Sequence, residues 1–213
     1  MKIIAITDIH GRRDYSSVVE KAIIESDLVV IAGDLTDFGA EKEADVIIDK
    51  IKILNDNILA VPGNCDHDSV SLSLRKNGVD LQGKSKLINS IAFYGLGGSN
   101  KTPFATPQEY SDDKLGMTLH NFSKINNAKY HILISHPPPA KTQVDKTIFG
   151  LHVGSQAVRT FIEKFEPDLV ICGHIHEAKG VDKIGKTIII NPGPFPKHYA
   201  TINITEKIEY TLI

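Results

Sequence analysis

Leu28-Val29-Val30-Ile31-Ala32-Gly33-Asp34-Leu35-Thr36-Asp37 is an apolar run that stops abruptly at Gly33-Asp34. A run of this length, bounded by Gly and Asp, predicts a short parallel strand covered on both faces. It delivers a carboxylate, Asp34, to the end of a core strand, where a charge is costly unless something positive meets it. Four other strand-like runs end in polar clusters of the same kind. Residues 2–7 lead into Asp8-Ile9-His10, and residues 58–61 into Gly63-Asn64-Cys65-Asp66. Residues 130–134 lead into Ser135-His136-Pro137, and residues 168–172 into Gly173-His174-Ile175-His176.

Helical periodicity fills the gaps, over residues 14–25, 41–54, 68–76, 112–125 and 155–165. Strand–helix–strand alternation in the first half predicts right-handed crossovers and a parallel sheet. The second half is richer in hairpins. One spans residues 86–96 and turns near Asn89-Ser90; the tail offers strands at 180–184, 187–190, 199–204 and 207–212. Residues 97–106 and 140–153 read as exposed loops. No repeat or linker divides the sequence, so one α/β domain over residues 1–213, with two sheets each backed by helices, is expected.

The 213 residues are 41% hydrophobic and carry a net charge of −2. No strong overall field draws such a chain to nucleic acid or an anionic membrane, although local basic patches are compatible with it. No apolar stretch approaches the ~18–20 residues that cross a bilayer. The N-terminus runs straight into a strand without a signal-peptide core, which predicts a cytoplasmic protein. Two cysteines, Cys65 and Cys172, make no disulfide framework and no Cys-x-x-Cys pair. Cys172 reads as a small buried apolar residue.

Ligands of α/β sheets gather at the carboxyl ends of the strands. If the five strands are neighbours, two Asp, one Asn and four His meet in one place. That mixture of imidazole, carboxylate and amide oxygen suits Mn, Fe, Ni or Zn and not an all-oxygen calcium cage. Gly33, Gly63 and Gly173 each precede a candidate ligand and let the chain turn or approach closely. Asp8-x-His10 and His174-x-His176 are expected to project from one side of extended segments. Each motif alone is commonplace. Five in this order, each after a hydrophobic strand, are a specific signal.

On these motifs, from Asp8 to His176, the chain resembles the calcineurin-like metallophosphoesterase superfamily. The resemblance implies a four-layer α/β/β/α sandwich of two mixed sheets flanked by helices. It implies a metal-dependent phosphoric ester hydrolase, a phosphodiesterase first of all, with two divalent ions: Mn, or else Fe, Ni or Zn. Carried over by position, the first ion would take Asp8, His10, Asp34 and His176, and the second Asp34, Asn64, His136 and His174. Asp34 would bridge them, and a bridging hydroxide would attack phosphorus in line.

One position departs from the superfamily pattern. The residue after the Asn ligand is usually a histidine serving the leaving group; here it is Cys65, a weak donor without charge. In this the chain is similar to small bacterial and archaeal members that resemble cyclic-nucleotide phosphodiesterases. The candidate catalytic set is therefore Cys65, Asp66, Asp37 and His67. Asp37 and Asp66 would orient ligands or cap turns, and His67 or His152 would supply the missing proton.

The implied partner is a small phosphate ester, nucleotide-like or not, with no membrane and no nucleic acid, and with homo-oligomers allowed. Arg12 and Arg13 could meet a phosphate, Asn191-Pro192-Gly193-Pro194 turns the chain back under the site, and the loops at 97–106 and 141–152 would select substrate. The competing readings are a phosphomonoesterase or nucleotide pyrophosphatase, and a non-catalytic adaptor that keeps the fold.

Overall fold

Alternation decides where each strand's side chains go. In the computed structural model, which describes residues 1–213, the chain forms β1 (Lys2–Ile6), α1 (Ser17–Ile24), β2 (Leu28–Ala32), α2 (Glu41–Lys52), β3 (Ile58–Val61) and α3 (Val70–Lys76). It continues through β4 (Ser85–Ile88), β5 (Ile91–Leu96), β6 (Ser99–Asn100), β7 (Glu109–Tyr110), α4 (Asp112–His120), β8 (Tyr130–Ser135), α5 (Gln156–Phe165) and β9 (Leu169–Ile171). The tail adds β10 (Gly180–Ile184), β11 (Thr187–Asn191), β12 (Ala200–Ile204) and β13 (Ile208–Leu212).

Two mixed sheets result, in the orders β13-β12-β1-β2-β3 and β10-β11-β9-β8-β5-β4, beside a two-stranded β6-β7 pair. β1, β2 and β3 are parallel neighbours, as are β5, β8, β9 and β11; the antiparallel partners lie towards the edges.

Ile3, Ala5 and Val30 point between the sheets and meet Phe93, Ile132, Ile134 and Ile171 from the other side. Their alternates Ile4, Ile6, Val29 and Ile31 pack against Val19 and Ile23 of α1 and Ile47, Ile48 and Ile51 of α2. Tyr94, Leu133 and Val170 pack on Leu115, Leu119, Val158 and Ile162 of α4 and α5. The layers are therefore α/β/β/α. Both faces of β2 are covered, and all five of its side chains are buried. Each large one contributes about 1.5–3 kcal/mol.

Three local expectations change. α4 stops at His120 instead of continuing to 125. The buried Tyr94 ring needs partners for its hydroxyl, and it donates to Ser123 O and accepts from Ile125 N, both at 3.3 Å, drawing that segment out of helical register. The 97–106 stretch is not all loop, because β6 pairs with β7. Nor is the 140–153 segment simply exposed. Thr142, Val144 and Asp145 are buried around a short 3₁₀ turn, Gln143–Asp145. The Asp145 side chain accepts the amides of Lys141 (3.0 Å), Thr142 (2.8 Å) and Gly154 (3.0 Å), so the loop is folded around a buried acidic residue.

Candidate metal centre

The loops leaving β1 and β2 run side by side: Asp8 N donates to Gly33 O at 3.1 Å and His10 N to Asp34 O at 3.0 Å. The tip of β3 presses on the second of these loops so closely that a Cβ on Gly63 would run into Asp34 N and Oδ1. From the other sheet, His136 follows β8 and places Nδ1 2.8 Å from Ala32 O. The loop after β9 closes the ring. A Cβ on Gly173 would strike Thr7 Oγ1 and lie 2.8 Å from Asp8 Oδ2, and His174 N donates to the Asp8 carboxylate at 3.1 and 3.2 Å. Sparing these two glycine positions a side chain is what lets four loop tips share one spot.

The two spaced pairs do not lie on extended chain. Asp8, His10, Asp34 and His174 have φ of 53°, 46°, 50° and 72°, in the left-handed region. That conformation costs a non-glycine residue about 1–3 kcal/mol. Local strain, held by the amide bonds just described, aims these side chains.

The gathered donors are close. His10 Nε2 lies 3.1 Å from His176 Nε2 and 3.6 Å from Asp34 Oδ2. His136 Nε2 lies 3.4 Å from Asp34 Oδ2 and 2.9 Å from Asn64 Oδ1, and His176 Nε2 lies 3.4 Å from Asp8 Oδ1. Three overlapping groups have all donor atoms within 4.8 Å of one another: Asp8, His10 and His176; His10, Asp34 and Cys65; Asp8, Asp34 and His136. His174 belongs to none of the three; its ring packs edge-on to His136 with centroids 5.2 Å apart.

These residues fit divalent cations. Two imidazole nitrogens facing each other at 3.1 Å cannot both carry protons comfortably, and a shared cation accepts both lone pairs. Burial and the neighbouring His136 hold His174 down at about 4, hence neutral. Burial also leads in lowering His10. Burial alone would lower His136, but the Asp34 and Asp8 carboxylates outweigh it and lift the group to about 9. Burial would raise Asp34, and His136, His10 and the Cys65 amide overcome it and hold it ionised.

The remaining candidates separate by what they touch. Asp66 is wholly buried and accepts Leu35 N (3.1 Å), Thr36 N (2.8 Å), Thr36 Oγ1 (2.7 Å) and Gly63 N (2.8 Å). It therefore ties the β2 loop to the β3 loop. Burial and the Asp34 charge push it up to about 6. Asp37 is exposed, with Oδ1 3.8 Å from His10 Nδ1. Cys65 N donates to Asp34 Oδ1 at 2.8 Å, which puts the thiol beside the cluster. Burial and the surrounding carboxylates raise that thiol far above its ordinary range.

The exposed His67 lines a surface cleft with Phe38, Ala40 and Ala105. His152 Nδ1 lies 2.7 Å from Asp145 Oδ1. Arg12 donates to Phe195 O at 3.3 Å. Asn191 donates to Ile175 O at 2.9 Å and so fastens the loop carrying His174 and His176.

Sequence reasoning missed Thr106 and Glu109. Asn64 Nδ2 donates to Thr106 Oγ1 at 2.9 Å, and that hydroxyl donates to Glu109 Oε1 at 2.8 Å. This relay leaves the Asn64 oxygen turned to His136. The available signal was the Thr-x-x-Glu spacing of Thr106 and Glu109, which resembles a capping box.

Burial would raise the Glu109 carboxyl, but the hydroxyls of Thr102 and Thr106 and the Thr106 amide outweigh it and hold it at about 2. Its folded value lies below the unfolded value of about 4.3, so the stabilisation it gives this loop is present above the unfolded value. It is lost as pH falls towards 2. The amide shifts of Phe104 and Thr106, followed by NMR, will titrate with a midpoint near 2. A midpoint at about 4.3 would refute the relay.

A family profile described as calcineurin-like phosphoesterase matches residues 1–178. An uncharacterized protein of Methanocaldococcus jannaschii is 42% identical over 200 residues, covering 91% of this chain and 88% of that protein. A probable glycerophosphodiester phosphodiesterase of Arcobacter nitrofigilis is 21% identical over 248 residues, covering 100% of this chain and 85% of that protein. The crystal structure of TT1561 of Thermus thermophilus superposes with a TM-score of 0.72 at 16% identity, covering 99% of this chain and 97% of that one.

Proposed function

The chain belongs to the calcineurin-like phosphoesterase family, and from that premise we propose that it is a dinuclear-metal phosphodiesterase. The observation that carries the proposal is the convergence on Asp34. Donor groups from residues 10 and 136 approach its carboxylate to 3.6 and 3.4 Å, and the group from residue 176 lies 3.1 Å beyond His10. Asp8, His10, Asp34 and His176 would hold one ion, and Asp34, Asn64, His136 and His174 the other. Mn is the first choice among Mn, Fe, Ni and Zn, which accept the same ligands. Two such ions, when bound, would supply activation of a water and neutralisation of charge at phosphorus.

The chain's own groups complete the reaction. Asp66 and the Thr106–Glu109 relay fix Asp34 and Asn64 in place. Cys65 occupies the position beside Asn64 but is a poor proton donor. His152 is the better proposed donor to the departing oxygen, because the buried Asp145 carboxylate holds its Nδ1 at 2.7 Å. His67 has no such carboxylate. The distant likeness to a probable glycerophosphodiester phosphodiesterase supports a diester over a monoester.

The test is a panel of aryl and alkyl mono- and diesters, run on chelated protein before and after Mn²⁺ reconstitution. Diester hydrolysis that appears with the metal is the expected result, and no metal-dependent hydrolysis of any ester would sink the proposal. His152→Ala should slow alkyl diesters about 10²-fold and spare aryl diesters, whose leaving groups need no proton. An unchanged alkyl rate removes His152 from the mechanism.

A further inference from the structure

Three loops at the mouth of the cluster turn large apolar side chains to solvent. Phe38 is 53% exposed, Phe104 80%, Ile148 75%, Phe149 83% and Leu151 64%. Each loop is anchored to the site. The loop carrying Phe38 also carries Asp37, beside His10. The Phe104 loop is held to Asn64 through Thr106. The loop carrying Ile148, Phe149 and Leu151 touches the segment after His176, where Ile148 N donates to Glu177 Oε1 at 3.4 Å. Asn100 joins the last two loops by donating to Val153 O at 3.0 Å. Scattered exposed hydrophobics are ordinary, but a set carried on three loops that are all tied to one cluster is not.

The charge on two of these loops is one-sided, whereas the Phe38 loop exposes Asp37. Residues 101–107 and 141–152 expose Lys101, Lys141 and Lys146, and their one acid, Asp145, is buried. None of the three lysines is in an ion pair. The acids beside them are Asp37, which faces His10, and Glu177, which takes the Ile148 amide. An apolar rim studded with unpaired cations complements a surface of anionic head groups over apolar chains. No helix is long and apolar enough to cross a membrane, so contact of this kind would be peripheral.

We propose that the rim seats on an anionic lipid surface and that the phosphoester presented to the cluster belongs to a lipid; the substrate half of this rests on the phosphodiesterase reading above. The sequence-based expectation of no membrane partner rested on a net charge of −2, which is compatible with local basic patches such as these lysines.

Cosedimentation of the full chain with phosphatidylglycerol–phosphatidylcholine vesicles tests the surface, and hydrolysis of bis(p-nitrophenyl) phosphate after Mn²⁺ loading tests the chemistry separately. Binding to anionic vesicles should weaken about tenfold or more in Phe104→Ser/Phe149→Ser, and similarly in Lys101→Glu/Lys146→Glu. Met117→Ser, which removes an equally exposed side chain from α4, should bind as the parent does. With the metal loaded, a long-chain phospholipid diester should be cleaved faster than its short-chain soluble analogue.

Soluble-ester hydrolysis without vesicle binding, or binding unchanged in both rim variants, overturns the inference and leaves the phosphodiesterase reading intact. Rim-dependent dimers in sedimentation velocity, without vesicle binding, would give the patch to a second copy of the chain and overturn it equally. Rim-dependent vesicle binding without hydrolysis of any ester overturns the phosphodiesterase reading and the lipid substrate with it, while supporting the surface.

Discussion

Asp34→Asn is expected to leave the protein folded and to remove about 10³-fold or more of the metal-dependent activity proposed for it. The side chain is nearly the same size, and its Oδ1 still accepts the Cys65 amide that now lies 2.8 Å away. What disappears is the negative charge between His136 and His10, whose Nε2 atoms stand 3.4 and 3.6 Å from Oδ2. A neutral amide in that place offers one oxygen and an NH₂ that repels a cation. Both proposed ions share this residue, so metal content after dialysis should fall for both together and not by half. The metal-free variant should be less stable than the metal-free parent, because the buried His136 loses the carboxylate that balances its charge. A variant that keeps two ions and a tenth of the parent rate would show that Asp34 bridges nothing.

Gly63→Ala tests the same spot through packing. The added methyl would meet Asp34 N and Oδ1, and Asp34 Cγ at 2.6 Å. One of those atoms is backbone, at the tip of a fully buried strand, so it has no free direction in which to yield. The expected cost is about 2–3 kcal/mol, or a drop of roughly 5–10 °C in Tm for a chain of this size, with loss of metal. Gly116→Ala is the matched contrast. Its methyl would sit on α4 3.7 Å from Ala157 Cβ of α5, in ordinary contact, and should stabilise by about 0.5–1 kcal/mol. Equal effects of the two substitutions would show that Gly63 is not a contact glycine.

Both expectations come from features that differ in how far the sequence revealed them. The strands were legible because apolar runs such as Leu28–Ala32 have few alternatives once both faces are covered. The donor set was legible because each member follows such a run by one to five residues. The backbone of the site was not. Asp8, His10, Asp34 and His174 adopt left-handed φ values that no local preference favours, and only the packed neighbours over-determine them. Thr106 and Glu109 escaped notice because their importance lies in a hydrogen bond to Asn64, 42 residues earlier in the chain. The buried heart of the 140–153 segment was hidden for a related reason. Asp145 looks like a surface acid until three amides and an imidazole are seen to surround it.

The two halves of the cluster hang from different sheets. Asp8, His10, Asp34 and Asn64 follow β1, β2 and β3, whereas His136, His174 and His176 follow β8 and β9. The gap between the halves is gauged by the apolar filling of Phe93, Ile132, Val30 and their neighbours. In the proposed metal centre, preference for a larger or smaller ion would thus be written partly in hydrocarbon volume remote from every donor atom. Evolution could retune the metal by swapping one aliphatic residue for another, with every coordinating group left untouched.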